Sequence, residues 1–476
     1  MRNQPRRVSV RIGEACFPSP FASRLEFNAP VHGTWNIVHI GMLVPEAHNI
    51  YVCADNCMRG VVMTAAEMGM EDRFSCVTIR EQDLEVDNLE TITIEGVTEV
   101  LKHLDVRPPL VFVFLVCIHL FVGSDESYIL KQLRKRFPDI SFVRCFMDPI
   151  RQKTGPSPDM ELRGFMYEGI RELPERPKRV AVLGCDVPFG RDSELLRLIR
   201  EEGCEAVELQ DLESYAEYLA LGESSLFLTT YINAHAGIKA LAERLGRSFL
   251  YLPPVFSYEG IIEAHRTLRN AIRGGGGKPG SDRNAFYARE RAACEAALQD
   301  LSALIGDTAV AIDYSSHPRP LGMARLLLEA GISVRRVYLD VFSPEEEGDF
   351  ELLRREFPSL EITATMQAEE RLFRGKELEG FREAAGEIRE IREIRKTGDP
   401  KEPITLAIGQ KAAWFEQTPH FVNMIEGGGL WGFEGIRSLC RRIGEAYMTE
   451  KDFEEIVPRK GLGCLSRCDL PAKLGW

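Results

Sequence analysis

No apolar run in this chain is long enough to cross a bilayer. The most apolar one, residues 110–122, is closed off by Pro109 and Gly123 and falls short of the roughly 20 residues a helical span requires. It reads as a buried strand and the short segment after it. The N-terminal stretch MRNQPRRVSVRIGEACF carries basic residues with no apolar segment of signal-peptide length behind them, so the chain is expected to stay in the cytoplasm, away from any membrane. Positive charge is also short. The net charge is −13, no basic face dominates, and binding to phosphate backbones needs clustered Lys and Arg, which excludes nucleic acid as an expected partner. The composition of a disordered chain is missing too: hydrophobic residues make up 44% and charged residues 28%, the balance of a folded protein.

Two nucleotide signatures are lacking. RGGGGKPG, residues 273–280, has Ile272 and Pro279 where a phosphate loop needs Gly and Ser or Thr; it reads as a flexible linker. VLGCDVPFG, residues 182–190, does not keep the G-x-G-x-x-G spacing of a dinucleotide site. If ATP drives this protein, another chain hydrolyses it.

What the sequence does have is cysteine and a repeated strand–helix alternation. At 476 residues the chain is too long for one core, and roughly 150 residues per domain suggests about three. Strands are expected at residues 37–40, 50–52, 111–116 and 141–146, separated by helices at 57–68, 95–104 and 124–137. A second series begins at RVAVLG, residues 179–184, with strands near 206–209, 225–228 and 249–252. A third comes after the long helix 285–304, with strands at 309–313, 333–338, 361–363, 405–408 and 421–424. Alternation of this kind implies an α/β protein of parallel sheets with crossover helices. The expected division is 1–158, 159–275 and 284–434, with a closing helix and tail at 435–476. Residues 379–396, rich in Glu and Arg, read as a solvated charged helix.

Twelve cysteines in a chain facing reducing thiol pools do not form a disulfide framework. Four stand where a metal would meet them. HNIYVCADNCMRGVVMTAAEMG, residues 48–69, reads as a strand, a turn carrying Cys53 and Cys57, and a helix; Cys117 closes the strand VFVFLVC, and Cys16 lies in GEACFPSP. Ligands bind at the carboxyl edge of an open α/β sheet, and a helix N-terminus there lowers a thiol's pKa. Cys16, Cys57 and Cys117, with Cys53 as an additional or substitute donor, are the candidate ligands of one metal cluster. The plain alternative is that Cys53 and Cys117 are buried strand residues; a zinc site of Cys53, Cys57, Cys117 and His119 is a third reading. Cys464 and Cys468 form C-x3-C near the end of the chain, and Cys145 and Cys185 sit near strand ends. In the third series, His317 and Arg319 of SSHPRPLGMARLLLEAG open a helix where an anion would meet helix N–H groups. Glu426 of EGGGLWGFEG heads a glycine loop that allows close approach to a ligand.

These residues resemble the component 1 family of nitrogenase-like oxidoreductases, which includes nitrogenase catalytic subunits, their cofactor-assembly scaffolds, and dark-operative protochlorophyllide and chlorophyllide reductases. The likeness rests on an early Cys16, on Cys57 at a helix start, and on CIHLFVGSDES, where Cys117, Gly123 and Asp125 match the family's Cys and Gly-Asp turn. TYINAHAGIKALAERLGRSFLYLPP, from Thr230, and TPHFVNMIEGGGLWGFEG, from Thr418, resemble its second and third domains. The resemblance implies three Rossmann-like parallel-sheet domains, a homologous partner subunit or homodimer, and a bridging iron–sulfur cluster, 4Fe–4S or larger. It also implies a separate ATP-hydrolysing iron–sulfur reductase as electron donor. By position Cys16, Cys57 and Cys117 match the family's cluster ligands. The nitrogenase cofactor ligands have no counterpart: the cysteine's place falls at about Thr229, and the histidine's place near Val422 to Met424 has none, His420 being nearest. The expectation is a cytoplasmic reductase acting on a substrate other than dinitrogen, with His317, Arg319 and Glu426 as pocket residues. The alternatives are a non-catalytic scaffold or carrier for a cofactor precursor and a metal-free small-molecule binder.

Overall fold

The structure, a computed structural model, describes residues 8–22, 37–67, 69–86, 88–148, 156–274, 283–367 and 405–451. The charged helix read at 379–396, Cys464, Cys468 and residues 275–282 of the linker lie outside the described residues. Two compact units divide the chain. Of the described residues, one takes those in 33–254 and 261–283 and holds two sheets; the other holds a single sheet and takes 8–22, 255–260 and those in 284–451.

In chain order, β1 (Ser9–Arg11) belongs to the one-sheet unit, and β2 (Ala47–Cys53), β3 (Phe74–Thr78), β4 (Leu110–Val116) and β5 (Ser141–Met147) form the first sheet of the other. The second sheet is made of β6 (Arg176–Val182), β7 (Glu205–Glu208), β8 (Ser224–Thr229) and β9 (Ser248–Tyr251). Then β10 (Ala309–Asp313), β11 (Val334–Tyr338), β12 (Glu361–Thr363), β13 (Thr405–Ile408) and β14 (Phe421–Val422) complete the one-sheet unit. The orders are β3-β2-β4-β5, β7-β6-β8-β9 and β1-β12-β11-β10-β13-β14. Every pairing is parallel except β1 with β12.

Packing explains why β4 is uniformly apolar. LVFVFLV is buried along its whole length, as a strand covered on both faces must be. Side chains alternate between two cores. Ile50, Val52, Val111, Val113 and Leu115 meet Leu89, Ile94, Val97, Ile129 and Leu133 from the helices Leu89–His103 and Glu126–Arg136. Tyr51, Cys53, Phe112, Phe114 and Val116 face a core shared with Ala181, Leu183 and Phe227 of the second sheet's strands and their ends. Tyr51 and Phe114 are register partners on β2 and β4 and stack at 4.1 Å. The flanking helices start on side-chain caps: Asn88 Oδ1 accepts the Thr91 N–H at 2.8 Å, and Asp125 Oδ1 accepts the Tyr128 N–H at 2.9 Å. Among the described residues no helix is long and apolar enough to cross a membrane.

Two expectations change. Residues 37–40, read as a strand, lie in a helix, Ile37–Met42, in which every residue is buried. A helix covered on all sides shows no one-sided periodicity, so its apolar run imitates a strand. The N-terminal segment, expected with the first series, supplies β1 to the one-sheet unit, pairing Val10 with Ile362.

Buried imidazoles give the two-sheet unit a pH dependence. His48 bonds Ser75 Oγ at 2.8 Å, and His119 accepts the Val116 N–H at Nδ1 (3.2 Å) while donating from Nε2 to Thr93 Oγ1 (3.0 Å), whose own proton goes to the Leu89 carbonyl. Burial lowers both from 6.5 to about 4. The unfolded chain therefore takes up these protons first as pH falls. Stability is expected to be full above pH 6.5 and to decline toward pH 4, by about 1.4 kcal/mol per pH unit for each histidine within that window. Urea melts from pH 7 to 4 should show a shallower decline for His119→Gln than for wild type. Phe112→Ala, which empties the centre of β4, is expected to cost about 3–5 kcal/mol in the same assay at pH 7.

Candidate functional site

Strand order decides where ligands can enter. In the first sheet the chain passes from β2 to β3 on one side and from β4 to β5 on the other, so the loops leaving β2 and β4 diverge and open a crevice beyond their carboxyl ends. Cys57 lies in the first turn of the helix Asp55–Glu67 that succeeds β2, and Cys117 is the first residue of the helix Cys117–Val122 that succeeds β4. Cys57 is exposed and Cys117 partly so. The two thiols are electrostatic neighbours: the Cys57 pKa is raised by its partial burial and then by charge on Cys117.

Cys53 differs from both. It ends β2 with its side chain in the core beside Tyr51 and Phe112, and burial, then Cys76 and Cys57, pushes its thiol up to about 12. It remains protonated at neutral pH and packs as a small apolar group. The zinc reading fails at His119, whose two ring nitrogens are taken by Val116 and Thr93. Cys16 belongs to the one-sheet unit. Its thiol is exposed, while the next residue, Phe17, packs on Phe342 and Phe350 with ring centroids 5.9 and 5.3 Å away. Among the described residues no group of three or more His, Cys, Asp or Glu side chains is gathered so as to hold a metal ion. Within the two-sheet unit, Cys57 and Cys117 are neighbours as accessible thiols, while Cys53 packs in the core.

The one-sheet unit has its own reversal of order, between β10 and β13. Asp313 ends β10, fully buried, and binds the loops on either side of the reversal. Its Oδ1 accepts from Ser315 N (2.8 Å), Ser315 Oγ (2.5 Å) and Ser316 N (3.1 Å), and its Oδ2 from Ala412 N (2.7 Å) in the helix Gln410–Glu416 after β13. Gly409, at φ 103°, permits this approach, since a Cβ there would come within 2.2 Å of the carboxylate. The glycine loop after β14 docks on the same segment: Glu426 N donates to the Ser315 carbonyl (2.9 Å) and Gly427 N to the Ser316 carbonyl (2.7 Å). Glu426 adopts a left-handed φ of 48°, a conformation that costs a non-glycine residue energy and that the docking holds in place.

His317 is fully buried on this rim, its ring 4.9 Å from that of Phe256. Nδ1 accepts the Arg319 N–H at 3.0 Å, so Nε2 carries the proton of the neutral ring. Burial first, then the Arg319 charge, lowers its pKa to about 3. Arg319 does not offer a guanidinium to a ligand: it donates to the Glu345 carbonyl (2.7 Å) and pairs with Asp349 at 3.4 Å. Nor is the helix N-terminus open to an outside anion. Glu346 Oε1 accepts from Leu321 N (2.8 Å) and Gly322 N (2.9 Å) of the helix Pro320–Glu329. The protein's own carboxylate thus fills the expected place. Burial pushes its pKa up to about 8. Sequence reasoning missed Glu346 and Asp313; the visible signal was an acid at a strand end.

Comparison with known proteins agrees with this architecture. Residues 93–448 match the family described as nitrogenase component 1 type oxidoreductase. No curated protein matches the sequence. Among solved structures, nitrogenase Cp1 at pH 6.5 superposes with a TM-score of 0.60 at 13% identity, over 92% of this chain and 95% of that one. Nitrogenase Cp1 at pH 5 gives 0.55 at 15% identity, over 95% of each chain. At such identities the likeness is one of fold, an α/β fold of several parallel sheets. By the span of the family match, the chain belongs to the nitrogenase component 1 type oxidoreductases.

Proposed function

We propose that this chain is the iron–sulfur subunit of a nitrogenase-like reductase complex in the cytoplasm. Electrons come from a separate ATP-hydrolysing iron–sulfur reductase, and the substrate is not dinitrogen. Cys57 and Cys117 contribute two thiolates to a 4Fe–4S or larger cluster, and a homologous subunit or second copy completes the ligand set. When bound, the cluster supplies one-electron chemistry at low potential.

The observation that carries this reading is the pair of neighbouring, accessible thiols at the divergence of the β2 and β4 loops. Soft thiolates are the donors iron–sulfur clusters take, and two of them make half of a four-thiolate set. The surface beside them supports a shared site. Leu120, Phe121 and Val122, in the same helix as Cys117, are exposed, Phe121 by 68%, and an apolar patch beside an incomplete ligand set suits contact with another chain. Beneath the pair, Cys53, Tyr51 and Phe114 are fully buried and keep water from that side. Dinitrogen is set aside because the positions of the nitrogenase cofactor ligands hold buried Thr229, whose Oγ1 accepts the Tyr231 N–H at 3.3 Å, and buried Val422. His317 and Glu426 line the substrate pocket at the β10 rim, and Arg319 fixes that rim through Asp349.

Anaerobically purified protein is expected to contain iron and acid-labile sulfide, and to give an electron paramagnetic resonance signal on reduction. Cys57→Ser and Cys117→Ser should each lose most of the iron, whereas Cys204→Ser, at a buried thiol away from the rim, should keep it. Phe121→Glu should lose iron together with the assembled state in gel filtration. Iron content indifferent to both rim substitutions would overturn the proposal. In the metal-free native chain, iodoacetamide should label Cys16, Cys57 and Cys117 and spare Cys53 and Cys145 until denaturant is added, as read by peptide mass spectrometry.

A further inference from the structure

We propose that His119 is the positioning residue for the Cys117 thiol: its buried ring fixes the helix Cys117–Val122 on the helix Leu89–His103 and so turns Cys117, with the apolar patch beside it, toward the crevice. This rests on the reading of Cys57 and Cys117 as cluster ligands and names the group that sets their geometry.

The helix Cys117–Val122 has only six residues and few side chains to hold it. Leu120, Phe121 and Val122 are exposed, Cys117 and Ile118 are partly covered, and His119 is its one buried residue. A helix this short is unstable by itself in water, because few bonds offset the fixing of its backbone. Tertiary contact must hold it, and the His119 ring makes that contact. Every proton in it has one direction. The Thr93 hydroxyl donates to the Leu89 carbonyl at 2.7 Å, which leaves its oxygen to accept from His119 Nε2 at 3.0 Å. Nδ1 is then the bare nitrogen, and it accepts the Val116 N–H at 3.2 Å. Val116 precedes the helix and has no side-chain acceptor; His119, third in the helix, reaches back to that N–H as the Glu or Gln of a capping box does. Val116 and Thr93 are both buried, so removing the ring breaks both attachments where water cannot replace them.

The far end of the helix is tied to the same residue and the same neighbour. Ser124 N–H donates to the His119 carbonyl at 2.9 Å across Gly123, whose φ is 68°, and Asp125 N–H donates to Glu90 Oε1 at 2.9 Å on the helix Leu89–His103. The direction of the thiol follows from this. Successive residues of an α-helix are turned by about 100°, so the side chain two positions before His119 points away from it. With His119 held inward, Cys117 is held outward, on the side of Leu120 and Phe121, which are three and four residues on. Cys57 reaches the crevice from the first turn of the helix Asp55–Glu67 and is the neighbour of the thiol so presented. One ring thus sets the thiol and the apolar patch as a unit.

The test uses the full, metal-free chain and dibromobimane, which links two thiols within its short reach and fluoresces once both have reacted. Wild type is expected to give a Cys57–Cys117 bridge, identified by peptide mass spectrometry. His119→Phe, which keeps a ring and removes both hydrogen bonds, and Thr93→Val should each bridge roughly tenfold more slowly, while Thr93→Ser, which keeps the hydroxyl, should bridge at the wild-type rate. In the two slow variants iodoacetamide should still label Cys57 and still spare Cys53 and Cys145, the mark of a misdirected thiol in a folded chain. His119→Gln serves if the phenylalanine variant does not fold. After iron–sulfur reconstitution the slow variants should show a shifted reduction potential and an altered electron paramagnetic resonance signal, and Thr93→Ser should show neither. Wild-type bridging rates in folded His119→Phe and Thr93→Val, or no bridge in wild type, would overturn the anchor. The bridge forms without iron, so that outcome is told apart from a failed cluster assignment, in which wild type takes up no iron.

Discussion

A parallel strand covered on both faces has room for polar chemistry only at its ends. The middle of β4 is seven buried apolar residues, and its neighbours carry the same demand through Tyr51, Val52, Val143 and Cys145. Any thiol, imidazole, carboxylate or ammonium that must meet a ligand is thereby driven to the loops. Because all strands in a parallel sheet point the same way, those loops gather on one edge. Where the order of strands turns back, at β2/β4 and again at β10/β13, the edge opens. Both candidate sites arise from that one constraint.

The same constraint separates two cysteines four residues apart. Cys53 is the last residue of β2 and inherits the strand's burial; Cys57, one helical turn beyond, escapes it. Their thiols respond accordingly, one held well into the alkaline range by desolvation and the other raised only in part. A single residue type in one short motif serves packing in the first case and faces the crevice in the second.

Much of this was legible in the sequence, and the remainder was hidden for identifiable reasons. β10, β12 and β13 fall where apolar period and turn residues place them. The helix Ile37–Met42 was obscured by burial on every side, and β1 by being three residues long with its partner far along the chain. At the sites, Cys57 and Cys117 could be found because strand ends can be found. Glu346 could not. It acts on Leu321 and Gly322 from a separate loop, and such pairings across sequence leave no local pattern. Arg319 is the converse case: a cation beside a helix start reads as a ligand-binding group until its partner Asp349, thirty residues away in sequence, is placed against it.

Glu346 has a consequence for how this rim comes into being. An internal carboxylate seated on the first amides of the helix Pro320–Glu329 satisfies them whether or not anything else is present. That corner of the protein therefore needs no guest to acquire its form. Whatever molecule it serves arrives at a finished doorway, and its departure leaves the architecture standing.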